Sequence, residues 1–292
     1  MSAISKIEWT DATWNPVRGC AMVSAGCEHC YAMRQAHRFS GKGQPYEGLT
    51  RLDMRWVGRA RFVPEMLPVP MRWESPRRIF VNSMSDLFHG DITNRQISAV
   101  FAVMAACPQH TFIVLTKRPN GMNRWYELHP FGGYASKAVL DYRKEFTDRQ
   151  LDRLTHVGSW PLPNVWLGVS CEDQSMLAKR VLPLLQTPAA IRWVSLEPLL
   201  APIRFIANRF DPLVGMDIER PNIRSKIDWV VVGAESGPGA RPMNEDWVRS
   251  IRDECKEVGT PFFYKQKLEN GRKVSLPFLD GLRYAEYPGG HR

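Results

Sequence analysis

Three cysteines lie close together near the start of the chain, in the stretch GCAMVSAGCEHCYA at residues 19–32. Six residues separate Cys20 from Cys27, and two separate Cys27 from Cys30. In a reducing compartment, a tight group of thiols binds a metal more often than it forms disulfides. The spacing therefore predicts a metal centre, either a zinc site or a [4Fe–4S] cluster.

The residues around the cysteines bear on the choice between zinc and iron. Structural zinc takes four ligands, usually from two knuckles, but the chain has neither a second CxxC pair nor an HxxxH pair. His29 and His37 are the candidate fourth ligands, and His29 lies inside the CxxC turn, where its side chain is poorly placed. Three thiols followed by the aromatic Tyr31 favour a [4Fe–4S] cluster whose open iron takes an exogenous ligand. Zinc remains the alternative.

Composition restricts the class of protein. The chain has 292 residues, of which 44% are hydrophobic and 24% charged, as in ordinary globular proteins. No apolar run approaches the roughly 18 residues of a membrane span, and the start lacks the apolar core of a signal peptide. We expect a cytoplasmic protein without a membrane partner. The net charge of +9 suits a polyanion such as nucleic acid, or serves solubility alone.

Beyond the cysteines, short apolar runs alternate with stretches of helical periodicity. The predicted strands are 77–84, 111–118, 164–171, 190–198, 228–236 and 261–266, and the predicted helices are 93–107, 173–186 and 244–259. Pro183 predicts a kink or an early end in the second of these helices. Such alternation is typical of parallel βαβ units. With one more strand near the cysteines, it predicts an α/β fold, an incomplete (β/α) barrel with helices outside; a doubly wound open sheet is the alternative.

Polar residues follow five of these strands in succession. They are Asn82, Ser83, Ser85 and Asp86; Thr116, Lys117 and Arg118; Ser170, Glu172 and Asp173; Ser195 and Glu197; and Glu235 and Ser236 with the GPGAR run. Each one alone has a structural explanation, as a helix cap or a turn residue. Because ligands bind at the carboxyl ends of parallel strands, the set together predicts a polar binding mouth.

The remaining stretches predict a single domain over residues 1–292 with two long rim loops, at 36–76 and 119–163. The first loop is rich in arginine and aromatic residues. Aromatic rings stack on bases while arginines contact phosphates, so this loop motivates a second functional class, a zinc-stabilised nucleic-acid-binding protein without catalysis. In the competing interpretation, Trp56 and Phe62 of this loop pack onto the barrel.

Longer motifs carry a resemblance to known families. The cysteine loop with its trailing Tyr31 resembles the cluster loop of radical S-adenosylmethionine (SAM) enzymes, although many of those have three residues in the first gap. Across nearly the whole chain, the motifs resemble a phage-associated three-Cys-motif family, which is radical-SAM-like and has no assigned reaction. These motifs are TWNPVRGC, GCEHCYA, IFVNSMSDLFHGDI, FIVLTKRP, NVWLGVSCEDQ, WVSLEPLL and DWVVVGAESGPGARPM. NSMSDLF and LTKR are also similar, more weakly, to motifs of spore photoproduct lyase.

The resemblance implies a radical SAM-type barrel with two cofactors, a [4Fe–4S] cluster on the three cysteines and SAM. The resemblance also implies which residues contact SAM. Tyr31 would approach the adenine, and Lys117 would pair with the carboxylate. The amino group would be bound by Ser83, Ser85 and Asp86, and the ribose by Ser170 and Glu172. Such an enzyme splits SAM into methionine and a 5′-deoxyadenosyl radical, which removes a hydrogen from the substrate. The expected partners are a nucleotide or nucleic-acid substrate, an electron donor and a partner protein.

Overall fold

The computed structural model describes residues 5–129, 135–155, 159–205, 210–214, 216–217 and 225–290. Contacts between Cα atoms divide the chain into two compact units. The first unit holds residues 1–23 and 30–166, and the second holds 24–29 and 167–292. The division passes through the cysteine stretch, so that Cys20 and Cys30 belong to the first unit and Cys27 to the second.

Parallel strands in chain order form the centre of the first unit. Its strands are β1 (Ala12–Trp14), β2 (Val17–Arg18), β3 (Arg61–Phe62), β4 (Arg78–Val81), β5 (Thr111–Thr116) and the first two residues of β6 (Val165–Ser170). Its helices are α1 (Tyr31–His37), α2 (Asn94–Ala105), α3 (Pro119–Leu128), α4 (Ala135–Val139) and α5 (Asp148–Thr155). The sheet order is β1-β4-β5-β6, in which β1, β4 and β5 pair in parallel; β2 and β3 form a separate antiparallel pair.

The second unit continues the same pattern from the rest of β6. Its further strands are β7 (Ile191–Leu196), β8 (Phe210–Asp211), β9 (Met216–Asp217), β10 (Trp229–Gly233), β11 (Phe262–Glu269), β12 (Arg272–Ser275), β13 (Phe278–Leu279) and β14 (Leu282–Arg283). Its helices are α6 (Gln174–Gln186) and α7 (Glu245–Val258). The sheet order is β6-β7-β10-β11-β12, where β7, β10 and β11 pair in parallel and β12 is antiparallel.

Local sequence explains where the elements begin and end. The hydroxyl of Thr93 accepts a hydrogen bond from the Gln96 N–H while the Gln96 side chain accepts one from the Thr93 N–H, a capping box that starts α2. Gly259 has a φ of 69° and ends α7, because glycine enters the left-handed region without a Cβ clash. All five residues of β10 are buried, as expected for a parallel strand covered on both faces.

The α/β class and the predicted strands are confirmed. In each unit the sheet order follows the chain order without reversal, whereas a doubly wound sheet reverses its order at a switch point. This consecutive order is compatible with an incomplete (β/α) barrel.

The helices differ from expectation in two places. α6 runs to Gln186, three residues beyond Pro183, so the prediction that this helix ends early at the proline is wrong. A proline removes only one helical donor, and the Pro183 carbonyl accepts a bond from the Thr187 hydroxyl at 2.8 Å. The stretch 119–163 holds α3, α4 and α5 rather than an irregular loop; its residues 130–134 and 156–158 lie outside the described residues. No helix in the described ranges is long and apolar enough to cross a membrane.

Candidate functional site: the cysteine stretch and the strand ends

The backbone before Cys20 is fixed by a glycine. Gly19 has a φ of 83° and forms a parallel bridge with Ser85, which follows β4. A Cβ at this position would lie 2.5 Å from the carbonyl oxygen of Arg59, so only glycine fits. The first cysteine is therefore held beside the end of β4.

Arg118 is the cation next to Cys20. Its Nη1 lies 3.8 Å from Cys20 Sγ, and its Nη2 donates to the carbonyl of Ala21 at 2.9 Å. Burial and the nearby Asp86 carboxylate raise the pKa of the Cys20 thiol to about 12, although the Arg118 charge opposes this. A bound metal would replace that thiol proton, and the guanidinium is placed to offset the charge of the thiolate.

Asp86, expected at the SAM amino group, is buried and has four internal donors. Its Oδ1 accepts from the Thr116 hydroxyl at 2.8 Å and from the Phe88 N–H at 3.0 Å. Its Oδ2 accepts from the Lys117 N–H at 3.1 Å and from Arg118 Nη1 at 3.0 Å. The carboxylate thus ties the ends of β4 and β5 together and orients Arg118. Its contact with SAM stays a prediction.

Cys30 and Tyr31 start α1. Cys30 and Cys20 both pack against one apolar cluster, which contains Ala32, Met33, Ala36, Tyr46, Leu49 and Trp56. The Tyr31 hydroxyl donates to the carbonyl of Ser83, while 45% of the residue remains exposed. Two cysteines and the aromatic residue therefore share one region of the first unit, next to the residues that follow β4.

The serines after β4 also have partners within the first unit. The Ser83 hydroxyl donates to Asn15 Oδ1 at 3.2 Å, and the Ser85 hydroxyl donates to the Val17 carbonyl at 2.8 Å. These bonds attach the segment after β4 to the segment that leads to the cysteines. The predicted contacts of Ser83, Ser85 and Lys117 with SAM are not tested by this geometry.

In the second unit, a buried ion pair holds the segment 24–29 that contains Cys27. The Glu172 side chain is fully buried, and its Oε2 accepts from Arg180 Nη1 at 2.9 Å. Its Oε1 accepts from the N–H of Gly26 at 3.2 Å. Since both carboxylate oxygens are engaged, we assign Glu172 to positioning Gly26 and its neighbour Cys27; the ribose contact stays a prediction.

A second charged group holds the same segment. Arg241 Nη2 donates to the Ala25 carbonyl at 2.9 Å and to Glu235 Oε1 at 2.6 Å, and Nη1 reaches Glu28 Oε2 at 3.2 Å. Burial raises the pKa of Glu235, but the hydrogen bonds and charge of Arg241 outweigh it and leave this pKa below its usual value. Arg241 is the last residue of the GPGAR run, which the sequence analysis included among the polar residues at the strand ends. Its role in holding the segment 24–29 was not predicted.

Sequence reasoning missed the cations that position the cysteine stretch. Arg180 lies on α6, eight residues after Glu172, and no sequence pattern marks it as functional. The one available clue is that a buried carboxylate such as Glu172 needs a charged or hydrogen-bonding partner. Arg118 was visible only as one polar residue among several after β5. Ser170, a predicted ribose contact, donates its hydroxyl to the carbonyl of Glu197 at 3.1 Å.

None of these three cysteines forms a disulfide, and all three are half-buried. Among the described residues, no group of three or more Cys, His, Asp and Glu side chains is gathered to hold a metal ion. The assignment of Cys20, Cys27 and Cys30 to a metal thus stays a prediction.

Comparison with known proteins gives one match. Residues 4–288 match the family model described as "Protein of unknown function (DUF5131)". No curated protein and no solved structure matches the chain. Because the match spans almost the whole sequence, the chain belongs to this family.

Proposed function

We propose that this member of the DUF5131 family is a radical SAM-type iron–sulfur enzyme with a partial barrel, and that Cys20, Cys27 and Cys30 ligate a [4Fe–4S] cluster. One observation carries the proposal: three half-buried cysteines, none of them in a disulfide, lie on a short stretch whose backbone is bonded by charged side chains. Ala21 is held by Arg118, and Gly26 by Glu172. A stretch with only a structural role has no need of three half-buried thiols outside disulfides.

The donor set fits such a cluster. Three thiolates leave one iron open, whereas a closed zinc site needs a fourth ligand. When bound to these three cysteines, such a cluster would supply the electron for reductive cleavage of SAM. The chain's own part is to hold the thiolates and offset their charge, for which Arg118 lies beside Cys20.

The proposed SAM contacts are those implied by the resemblance: Tyr31, Ser83, Ser85, Asp86, Lys117, Ser170 and Glu172. Tyr31 is the most exposed of the set, at 45%, which suits a ring that approaches the adenine. Asp86 and Glu172 are buried, so they would act by holding the neighbouring backbone. An electron donor, a partner protein and a cytoplasmic location stay predictions.

Anaerobic reconstitution with iron and sulfide tests the proposal. We expect a brown protein that releases 5′-deoxyadenosine when SAM and dithionite are added. A colourless protein with stoichiometric zinc would overturn the iron assignment and favour the zinc-stabilised alternative. A brown protein that leaves SAM intact under these conditions would overturn the SAM assignment alone.

Lys117→Ala should weaken SAM binding. Loss of a charge-assisted hydrogen bond to the SAM carboxylate costs about 1.5–3 kcal/mol, which corresponds to about ten- to a hundredfold in affinity. Titration calorimetry of the reconstituted protein measures the change, and iron per chain should remain at the parental value. Lys179→Ala, an exposed lysine on α6, is the control. Equal affinity in both variants would contradict the role of Lys117.

For the substrate, we propose a nucleotide or nucleic acid that contacts a basic pocket in the first unit. Arg18 and Arg61 lie directly opposite each other on the antiparallel strands β2 and β3. Like charges in this register repel each other, so an anion between them would be stabilising. They line a cavity of about 340 Å³ with Gly43, Gln44, Pro45, Phe62, Val63 and Glu65.

The aromatic residues of this loop do not all support base stacking. Trp56 is buried, and its ring lies 6.4 Å from that of Tyr46. Phe62 packs against Tyr142 at a ring distance of 5.2 Å. Both rings thus contact other aromatic side chains of the first unit, and the arginines of the pocket become the main support for a nucleic-acid partner.

Replacing Arg18 and Arg61 together by Ala should flatten the salt dependence of DNA or RNA binding. Each phosphate contact contributes about −0.7 to −0.9 to the log–log slope, so two contacts contribute about −1.4 to −1.8. Fluorescence anisotropy with labelled oligonucleotides at several salt concentrations measures the slope. Arg51→Ala with Arg55→Ala, exposed in the same loop but outside the pocket, is the control. An equal change in both double variants would place the contacts along the loop rather than in the pocket.

A further inference from the structure

A lysine–glutamate pair lies in the second unit, with its glutamate just after β7. Lys265 Nζ is 2.7 Å from Glu197 Oε2, and the two side chains are only 14% and 15% exposed. Moving two charges out of water costs about as much free energy as their mutual attraction recovers. A gain in stability therefore does not by itself explain such a pair. Glu197 follows β7, at the carboxyl end of a parallel strand where ligands bind in α/β folds.

The backbone of β11 is irregular at this lysine. Along the β10–β11 pairing, Val232 lies opposite Tyr264 and Gly233 lies opposite Gln266, so Lys265 is an extra residue. A β-bulge redirects the side chain it carries, and bulges are over-represented next to active sites. The bulge is what directs Lys265 towards Glu197.

Gly233 makes room for the glutamate. A Cβ at Gly233 would lie 2.9 Å from Glu197 Oε1 and 3.2 Å from its Cδ. Any other residue would push the carboxylate away from its place. The Ser170 hydroxyl, which donates to the Glu197 carbonyl, fixes the backbone on the other side. Two strands thus hold this carboxylate in one position.

Two buried polar atoms at this place have no hydrogen-bond partner among the described residues. They are Glu197 Oε1 and the hydroxyl oxygen of Ser195, which lies two residues earlier, on β7. Buried acceptors are almost always paired, and an unpaired one costs stability. Glu197 Oε1 is an acceptor that a ligand N–H or O–H would satisfy.

We infer that Glu197 and Lys265 bind the hydrogen-bonding edge of a nucleobase. The pair is neutral overall, so it favours an uncharged group over an ion. Glu197 Oε1 accepts a hydrogen bond, and the Lys265 ammonium has hydrogens left to donate, so the ligand must present a donor beside an acceptor. Every nucleobase carries such an edge; the choice of a nucleobase over another amide rests on the nucleotide substrate proposed above.

Calorimetric titration of the full-length protein with the four common nucleosides tests this inference. At least one nucleoside should bind, and methylating the nitrogen donor of its base edge should weaken binding about ten- to a hundredfold, the cost of one hydrogen bond to a charged group. Gly233→Ala should weaken binding at least about tenfold, because it displaces the carboxylate. Lys267 lies on the same strand as Lys265 but pairs with Glu245 and Glu269. The control variant Lys267→Gln should therefore bind nucleosides as the parent does.

Glu197→Leu combined with Lys265→Met removes both charges together, so that neither is left buried alone. This double variant should unfold at a temperature near that of the parent and show no measurable nucleoside binding. The inference is overturned if none of the four nucleosides binds, if donor methylation has no effect, or if the double variant binds like the parent. The assay needs neither iron nor SAM, so nucleoside binding without 5′-deoxyadenosine release would overturn the SAM assignment and leave this inference intact.

Discussion

Replacing Cys20, Cys27 or Cys30 by Ala should each abolish the iron–sulfur cluster. A [4Fe–4S] cluster with three protein ligands has no spare thiolate on this stretch, so iron per chain should fall from about four to near zero in every variant. Iron and sulfide analysis after anaerobic reconstitution measures the loss, and the visible absorbance should disappear with it.

Two other cysteines are the controls for this experiment. Cys107 and Cys255 are fully buried, and burial raises the pKa of both thiols, that of Cys107 to about 11. Their replacement by Ala should leave the iron content at the parental value. Iron loss in the Cys255→Ala variant, with the fold preserved, would show that the ligands are assigned wrongly; so would full iron content in any of the three ligand variants.

Arg180→Met should lower the free energy of unfolding by about 3–5 kcal/mol, because it leaves the Glu172 carboxylate buried without a counter-charge. The side chains of Arg180 and Glu172 are 5% and 0% exposed, so solvent cannot replace the lost partner. Urea denaturation followed by circular dichroism measures the change. Arg95→Met breaks an exposed pair with Asp141 and should leave the free energy of unfolding nearly unchanged.

A double variant separates stability from the positioning of the cysteine segment. Replacing Glu172 by Leu and Arg180 by Met exchanges the buried pair for apolar side chains, which is often neutral or stabilising. Stability should return towards the parental value, while the Gly26 N–H loses its acceptor and iron uptake falls. Parental iron uptake in this variant would show that Glu172 does not hold the segment for metal binding. An equal cost for Arg180→Met and Arg95→Met would contradict the buried-charge argument itself.

Elements with local signals could be predicted from the amino-acid sequence alone. Each predicted strand from residue 77 onward overlaps an observed strand, and the helix predicted from Thr93 begins with the capping box that Thr93 and Gln96 form. These predictions succeed because hydrophobic periodicity and cap chemistry act over a few neighbouring residues. The cysteine spacing is local in the same way, so the candidate metal ligands were also readable.

Contacts between distant polar residues could not be predicted in this way. Glu172 and Gly26 are 146 residues apart in the chain, and Arg118 is 98 residues from Cys20. Nothing in a periodic pattern specifies such contacts, because each depends on how strands pair and on which side chain a turn exposes. Lys265 is the clearest case: a shift of one residue along a strand moves a side chain to the other face of the sheet, and the bulge that directs it towards Glu197 is a property of the pairing with β10.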